Sequence, residues 1–260
     1  MSHYSTEVTS SKIKSDNPVH QRLLFGYYSA KEYIHGNVLE IGCGIGRGLE
    51  IVIKKGTTYT GIDKNKKLIE EQIQNFPENS FIHGTVPPLL EIENESFDTV
   101  ISFHVIEHIE KDDLFLEEIY RVLKPNGTLI LSTPNKNKTI TKNPWHIREY
   151  TDLELLQLFS STQFKLISKK GISGNEKVNH YFQMNTKTTQ KIIKLDFLNL
   201  RNHLPSSLFK IMYEFFNRIN RFLLMKKNPE ICLSISNTDF ILTDDTKDCL
   251  DLFFIFKKKR

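Results

Sequence analysis

Apolar positions in this chain follow two alternating rhythms. Short continuous runs are separated by stretches in which apolar residues recur every three or four positions. The runs predict strands at residues 37–42, 58–63, 81–83, 97–103 and 128–133. The spaced stretches predict helices. One opens at Pro18, with Leu23, Leu24, Tyr27, Tyr28 and Ile34 as its stripe. Others lie near residues 48–55, at 64–76 with Leu68, Ile69 and Ile73 on one side, and from Asp112 or Asp113, as cap, through Leu123. Pro125-Asn126-Gly127 reads as the stop of that last helix. Farther on, Thr151 and Glu154 form a capping-box pattern at the start of a helix over 151–161. Two more strands are expected, at 164–172 and 249–256.

Strands that are apolar throughout are covered on both faces, and strands that alternate with helices pair in parallel through right-handed crossovers. The pattern therefore predicts an α/β fold: a seven-stranded, mostly parallel sheet with helices on both faces. In such sheets ligands bind beyond the carboxyl ends of the strands. The chemistry is expected just after Ile41, Ile62, Phe103 and Thr133. Residues 1–17 are polar and read as a mobile arm, and 18–172 as the core. Residues 173–247 read as a helical cap inserted before the last strand, and 248–260 return to the core with a basic tail. Within the cap, Leu208, Ile211, Met212, Phe215, Phe216, Ile219, Phe222 and Leu223 recur at helical spacing, with Lys210, Glu214, Arg218 and Arg221 between them.

Composition narrows the class. The chain has 260 residues, 39% hydrophobic and 25% charged, which supports a sizeable core and argues against global disorder. Lys and Arg number 35 against 31 Asp and Glu, a net +4 that is too small to argue for nucleic-acid binding. Cys43, Cys232 and Cys249 are odd in number and far apart, so neither a disulfide framework nor a metal knuckle is expected. With no apolar leader or spanning run, a reducing, cytoplasmic setting is the expectation.

The segment Val38-Leu39-Glu40-Ile41-Gly42-Cys43-Gly44-Ile45-Gly46-Arg47-Gly48 carries the most chemistry. Glycines at 42, 44 and 46 permit a tight turn and let a ligand lie against bare backbone. The third position of a dinucleotide GxGxxG pattern falls on Arg47, and no GxxxxGK[ST] phosphate loop is present. Glu40 places a carboxylate beside the loop, which suits a cationic ligand better than a phosphate. Asp63 follows Gly44 by 19 residues, at the end of the second strand. A carboxylate there accepts bonds from ribose hydroxyls. A nucleoside with a cationic tail fits both acids, and S-adenosylmethionine is the natural candidate.

VLEIGCGIGRG, YTGID, SFDTVISFHVIEHI and RVLKPNGTLILSTPN stand in order over about residues 20–170. In these motifs the chain resembles class I S-adenosylmethionine-dependent methyltransferases of the group that includes ubiquinone-biosynthesis O-methyltransferases. The resemblance implies a Rossmann-like fold, S-adenosyl-L-methionine as cofactor and S-adenosyl-L-homocysteine as product. It also implies that Glu40, Gly42, Gly44 and Gly46 line the methionine side, that Asp63 holds the ribose, and that Ser102, Phe103 and His104 pass beneath the sulfur. Cys43, Lys64 and Thr85 complete that cofactor set. Thr85-Val86 stands where the family usually carries an acid for the adenine amine.

Two loops at the expected active edge carry histidines: His104-x-x-Glu107-His108, and His146 after the fifth strand. His146 or His104 is the expected catalytic base. In related enzymes a Glu-x-x-Glu-His pattern binds a divalent metal. In some of them a later His joins the set. Here His104 replaces the first Glu, so no metal is expected, with Glu107 and His108 as the residues to watch and His146 as the candidate later ligand. In the alternative reading those two cap and pack the next helix. The expected partner is a small-molecule acceptor, methylated at oxygen and apolar or lipid-like in one reading. Nucleic acid is disfavoured. The aromatic stripe at 208–223 reads as cap core, as an apolar substrate tunnel, or as a peripheral membrane contact. Competing readings of the whole are an RNA 3′-end methyltransferase and a non-catalytic cofactor-binding module.

Overall fold

The computed structural model describes residue 9 and residues 12–53, 56–141, 143–195 and 206–259. The chain divides into two compact units. The larger comprises residues 26–138, 147–173 and 242–260, and the smaller comprises residues 1–25, 139–146 and 174–241. The span expected as a cap thus falls mostly in the smaller unit, joined there by N-terminal residues and a short loop.

Among the described residues, eight strands make one sheet: β1 (Asn37–Ile41), β2 (Thr58–Asp63), β3 (Ser80–His83), β4 (Phe97–Phe103), β5 (Leu123–Pro134), β6 (Phe164–Gly174), β7 (Phe240–Thr243) and β8 (Asp251–Lys258). Their order is β3-β2-β1-β4-β5-β8-β6-β7. From β3 to β5 all neighbours are parallel, whereas β8 runs antiparallel to both β5 and β6. Among the described residues the α-helices are α1 (Asn17–Ala30), α2 (Leu49–Ile53), α3 (Lys66–Asn75), α4 (Asp112–Val122), α5 (Asp152–Ser160), α6 (Glu176–Leu195), α7 (Ser206–Lys227) and α8 (Pro229–Ser234).

The eighth strand, β7, was not legible in the pattern. It is four residues long and lies on the sheet edge, with Phe240 buried but Ile241 and Leu242 exposed, so neither alternation nor a buried run marks it. β5 begins at Leu123, five residues before the expected start. Pro125-Asn126-Gly127 does not stop a helix but bends the strand: Asn126 takes a φ of +63°, and the pairing with β4 shifts register between Phe97 and Thr99. Neither aspartate caps α4, whose cap position is Lys111 without a side-chain bond. Asp112 instead accepts from Tyr150 Oη at 2.7 Å and Arg148 Nη1 at 2.6 Å. The capping box on α5 forms as expected, with Thr151 and Glu154 bonded reciprocally.

The core of the larger unit is built by the strands' inner residues and the apolar faces of α4 and α5. Where β8 meets α5, Phe256 stacks on Phe159, with ring centroids 3.7 Å apart and planes 5° from parallel. Phe164 of β6 packs edge-on against both rings.

The smaller unit is organised by polar contacts. Asp16, fully buried, accepts from Arg218 Nη1 at 3.0 Å and from Arg221 Nη1 at 3.0 Å. The expected arm therefore ends sooner than residue 17: Lys14–Asp16 form a 3-10 turn and Asp16 is held fast. Residues 1–8, 10 and 11 of that arm lie outside the described residues. Asn17 donates to the Cys232 and Ile235 carbonyls, and Asn220 donates to Asn185 Oδ1. The stripe on α7 is not simply core, because Ile211, Phe215 and Phe222 are exposed while Leu224 is buried. Among the described residues, no helix is long and apolar enough to cross a membrane.

Phe256→Ala removes the stacked ring from a close-packed layer. It is expected to lower stability by about 3–5 kcal/mol, read as a fall in the urea midpoint.

Candidate active site

The parallel register sets the carboxyl ends of three strands side by side. Ile41 pairs with Ile62 on one flank and with Ser102 on the other. The chain leaves β1 at Gly42, where φ is +76° and a Cβ would lie 2.4 Å from Val105 Cγ2, so only glycine fits. Gly42 N and Cys43 N both donate to the Ile62 carbonyl, which fastens the bend to β2. Gly44 N then donates to Asp63 Oδ2 at 2.9 Å, and Asn65 N donates to Asp63 Oδ1 at 2.8 Å. A Cβ built on Gly44 would meet nothing closer than 4.0 Å, so the bend borders open space beside the Asp63 carboxylate. An ionised carboxylate offers about four acceptor positions, and these two backbone bonds use only part of that capacity. The residues present thus fit a nucleoside laid against the bend with its ribose at Asp63.

Beneath the bend lies Glu40, 1% exposed. Tyr27 Oη donates to its Oε1 and Tyr59 Oη to its Oε2, each at 2.5 Å. The carboxylate does not project into the ligand space; its oxygens are taken by tyrosines of α1 and β2. Gly48 lets Tyr27 reach it, since a Cβ there would sit 1.8 Å from the Tyr27 ring. Sequence reading assigned Tyr27 to an apolar stripe and missed this role, because a helical period does not say where a hydroxyl ends. Burial pushes the Glu40 carboxyl up to about 7. The two tyrosine bonds pull it down, Asp63 adds to the rise, and Arg47 opposes it. Burial, followed by the neighbouring Glu40 charge, raises both tyrosines well above their usual range. The Cys43 thiol is likewise pushed up by burial, then by Glu40 and Asp63.

At the end of β4, Ser102 is buried, and among the described residues its Oγ has no hydrogen-bond partner; Ser132 Oγ on β5 is in the same position. Phe103 packs edge-on against Tyr27 at 4.9 Å. His104 takes a left-handed backbone, φ +56°, with its N–H donating to the Ser132 carbonyl at 2.8 Å. Its ring lies between two buried acids: Nδ1 is 3.6 Å from Glu107 Oε1 and Nε2 is 3.8 Å from Asp251 Oδ1. Asp251, the first residue of β8, was not singled out in the sequence, where it precedes an apolar run without any motif. Glu107 does not cap α4. It sits in a 3-10 turn with His108, and its Oε2 accepts from Thr133 Oγ1 at 2.9 Å.

Lys64 and Thr85 are exposed on the rim beyond β2 and β3, where Gly84 N donates to the Asp63 carbonyl. His146 belongs to the smaller unit. There Asn143 Nδ2 donates to its Nε2 at 2.8 Å, and the adjacent Trp145 donates from Nε1 to Glu214 on α7.

A carboxyl whose proton affinity is raised by folding favours the folded state most at low pH. The contribution of Glu40 is complete below about 4.5, its unfolded value, and is lost as pH rises through about 7. The loss amounts to about 3 kcal/mol. Glu40→Gln, which cannot ionise, is expected to gain stability relative to the parent between pH 5 and pH 8 in paired urea titrations. A difference between the two proteins that stays constant with pH would contradict this account.

Residues 39–131 match the family described as a methyltransferase domain. A Mycolicibacterium smegmatis protein named as a probable S-adenosylmethionine-dependent methyltransferase is 30% identical over 141 residues, 52% of this chain and 54% of that one. The Dictyostelium discoideum mitochondrial ubiquinone biosynthesis O-methyltransferase is 32% identical over 115 residues, 38% of this chain and 36% of its own. This chain therefore spans about half, or less, of the curated relatives it matches. Among solved structures, a methyltransferase in complex with the Haloferax volcanii Trm112 activator superposes with a TM-score of 0.59 over 100% of both chains, at 13% identity, a likeness of fold. The glycine bend and the acid at the end of β2 lie inside the matched span: residues 39–131 of this chain are similar to a methyltransferase domain.

Proposed function

We propose that the protein transfers a methyl group from S-adenosylmethionine to a small-molecule acceptor, at oxygen. The observation that carries the reading is the bare-backbone bend at Gly42, Gly44 and Gly46, closed onto Asp63 beside the ends of β1, β2 and β4. Oxygen as the acceptor atom, and an apolar acceptor, are supported by the resemblance to enzymes named for O-methylation in ubiquinone biosynthesis.

The cofactor, when bound, supplies a methyl group already activated on a positively charged sulfur. The protein's part is to bind, orient and manage charge. The bend backbone and Asp63 would hold the nucleoside, Asp63 as an acceptor for its ribose hydroxyls. Glu40 acts through space, as a negative charge below the bend that favours a cationic ligand over its neutral product. Ser102 and Ser132 offer buried hydroxyls at the same edge. His104 takes the proton of the acceptor hydroxyl. Glu107 and Asp251 on either side stabilise the imidazolium so formed, as a buried acid beside a catalytic histidine does. Holding acceptor and cofactor in a reactive orientation would contribute further acceleration.

Calorimetry with S-adenosylmethionine and S-adenosylhomocysteine is expected to give clear binding. Asp63→Ala should weaken both by roughly ten- to a hundredfold, the worth of hydrogen bonds to a charged group. No heat with either compound, together with a clear signal from NADH or ATP, would remove the assignment. His104→Asn should leave cofactor affinity nearly unchanged. It should slow formation of S-adenosylhomocysteine from labelled cofactor, with an acceptor-containing extract, by about a hundredfold or more. A parental rate in that variant would exclude His104 as the base.

A further inference from the structure

Helix α7 buries Leu224 but leaves part of its apolar surface uncovered. Its inward side carries polar anchors: Arg218 and Arg221 reach the buried Asp16, and Asn220, 4% exposed, bonds Asn185 and Thr189. Its outward side carries Ile211, Phe215 and Phe222, which are 65%, 61% and 61% exposed. At 3.6 residues per turn these three project within roughly 40° of one another, a narrow ridge along the helix. Leaving such a ridge in water is costly, and contiguous apolar surface of this kind marks a contact surface.

Charge decides what the contact is. The helix has five basic residues and one acid, and Lys226 follows Phe222 by four positions, so it stands at the end of the same ridge. A second copy docking ridge to ridge about a twofold axis would set these like charges against themselves. A surface of negative headgroups over hydrocarbon matches both components, because the ring edges enter the acyl boundary and the lysines stay with the phosphates. Since no described helix can span a bilayer, the contact is peripheral.

We infer that the ridge of Ile211, Phe215 and Phe222 on α7 binds reversibly to an anionic phospholipid surface. The contact needs neither cofactor nor acceptor, so it stands or falls apart from the methyl-transfer reading. The test is co-sedimentation of the full chain with vesicles of phosphatidylcholine alone and of phosphatidylcholine mixed with phosphatidylglycerol. Binding is expected to the mixed vesicles, to weaken as salt is raised, and to be much weaker on phosphatidylcholine. Ile211→Asn, Phe215→Ser and Phe222→Ser should each lower partitioning by roughly tenfold. Their melting temperatures should stay near the parental value, because the side chains removed are exposed. Failure of the parent to sediment with mixed vesicles, or equal binding by the three variants, overturns the inference. So does a parental dimer in analytical ultracentrifugation that becomes monomeric in the variants while vesicle binding does not change, since the ridge would then be covered by a second copy.

Discussion

A carboxyl group removed from water must find hydrogen bonds, and Glu40 finds them in two tyrosine hydroxyls from different elements. Satisfying it ties α1 and β2 to β1 directly below the glycine bend. The bend cannot collapse onto β1 because the buried acid and its tyrosines fill that space. Nor can it lift away, because Gly42 and Cys43 are bonded to the Ile62 carbonyl and Gly44 to Asp63. Even the Gly48 position answers to this cluster, since a side chain there would displace the Tyr27 ring. One buried acid thus couples helix docking, loop shape and local charge.

The sheet converts that local arrangement into a site. In parallel pairing all strands end on the same side, so the bend, Asp63 and the β4 segment from Ser102 to His104 arrive together. The antiparallel β8 adds something parallel strands could not: its first residue, not its last, lies at that edge. Asp251 consequently faces His104, and a strand that in sequence reads only as hydrophobic delivers a buried acid to the site. His104 holds its place through a left-handed backbone that costs energy for a non-glycine residue and is compensated by the bond to the Ser132 carbonyl.

The smaller unit shows the opposite balance. Its long helix is joined to its neighbours partly through arginines and an asparagine, while Ile211, Phe215 and Phe222 are exposed. Helical periodicity identifies such a helix but leaves its faces open, because the period reports that two faces differ and not which one is covered.

Residue order alone established the α/β alternation, the strands that build the parallel half of the sheet, the glycine bend and the acid at the end of β2. These are local: a run, a period and a fixed spacing each express backbone geometry that neighbouring residues impose. Tertiary structure alone decided what Tyr27 and Tyr59 bond, that Asp112 anchors Arg148 and Tyr150 rather than capping a helix, and that Asp251 joins His104. It also decided that the edge strand β7 forms and that Asp16 binds two arginines some 200 residues away. Each of these pairs a polar group with a partner distant in sequence. Such a choice follows from which groups are buried together, a property of the packed chain that no local pattern encodes.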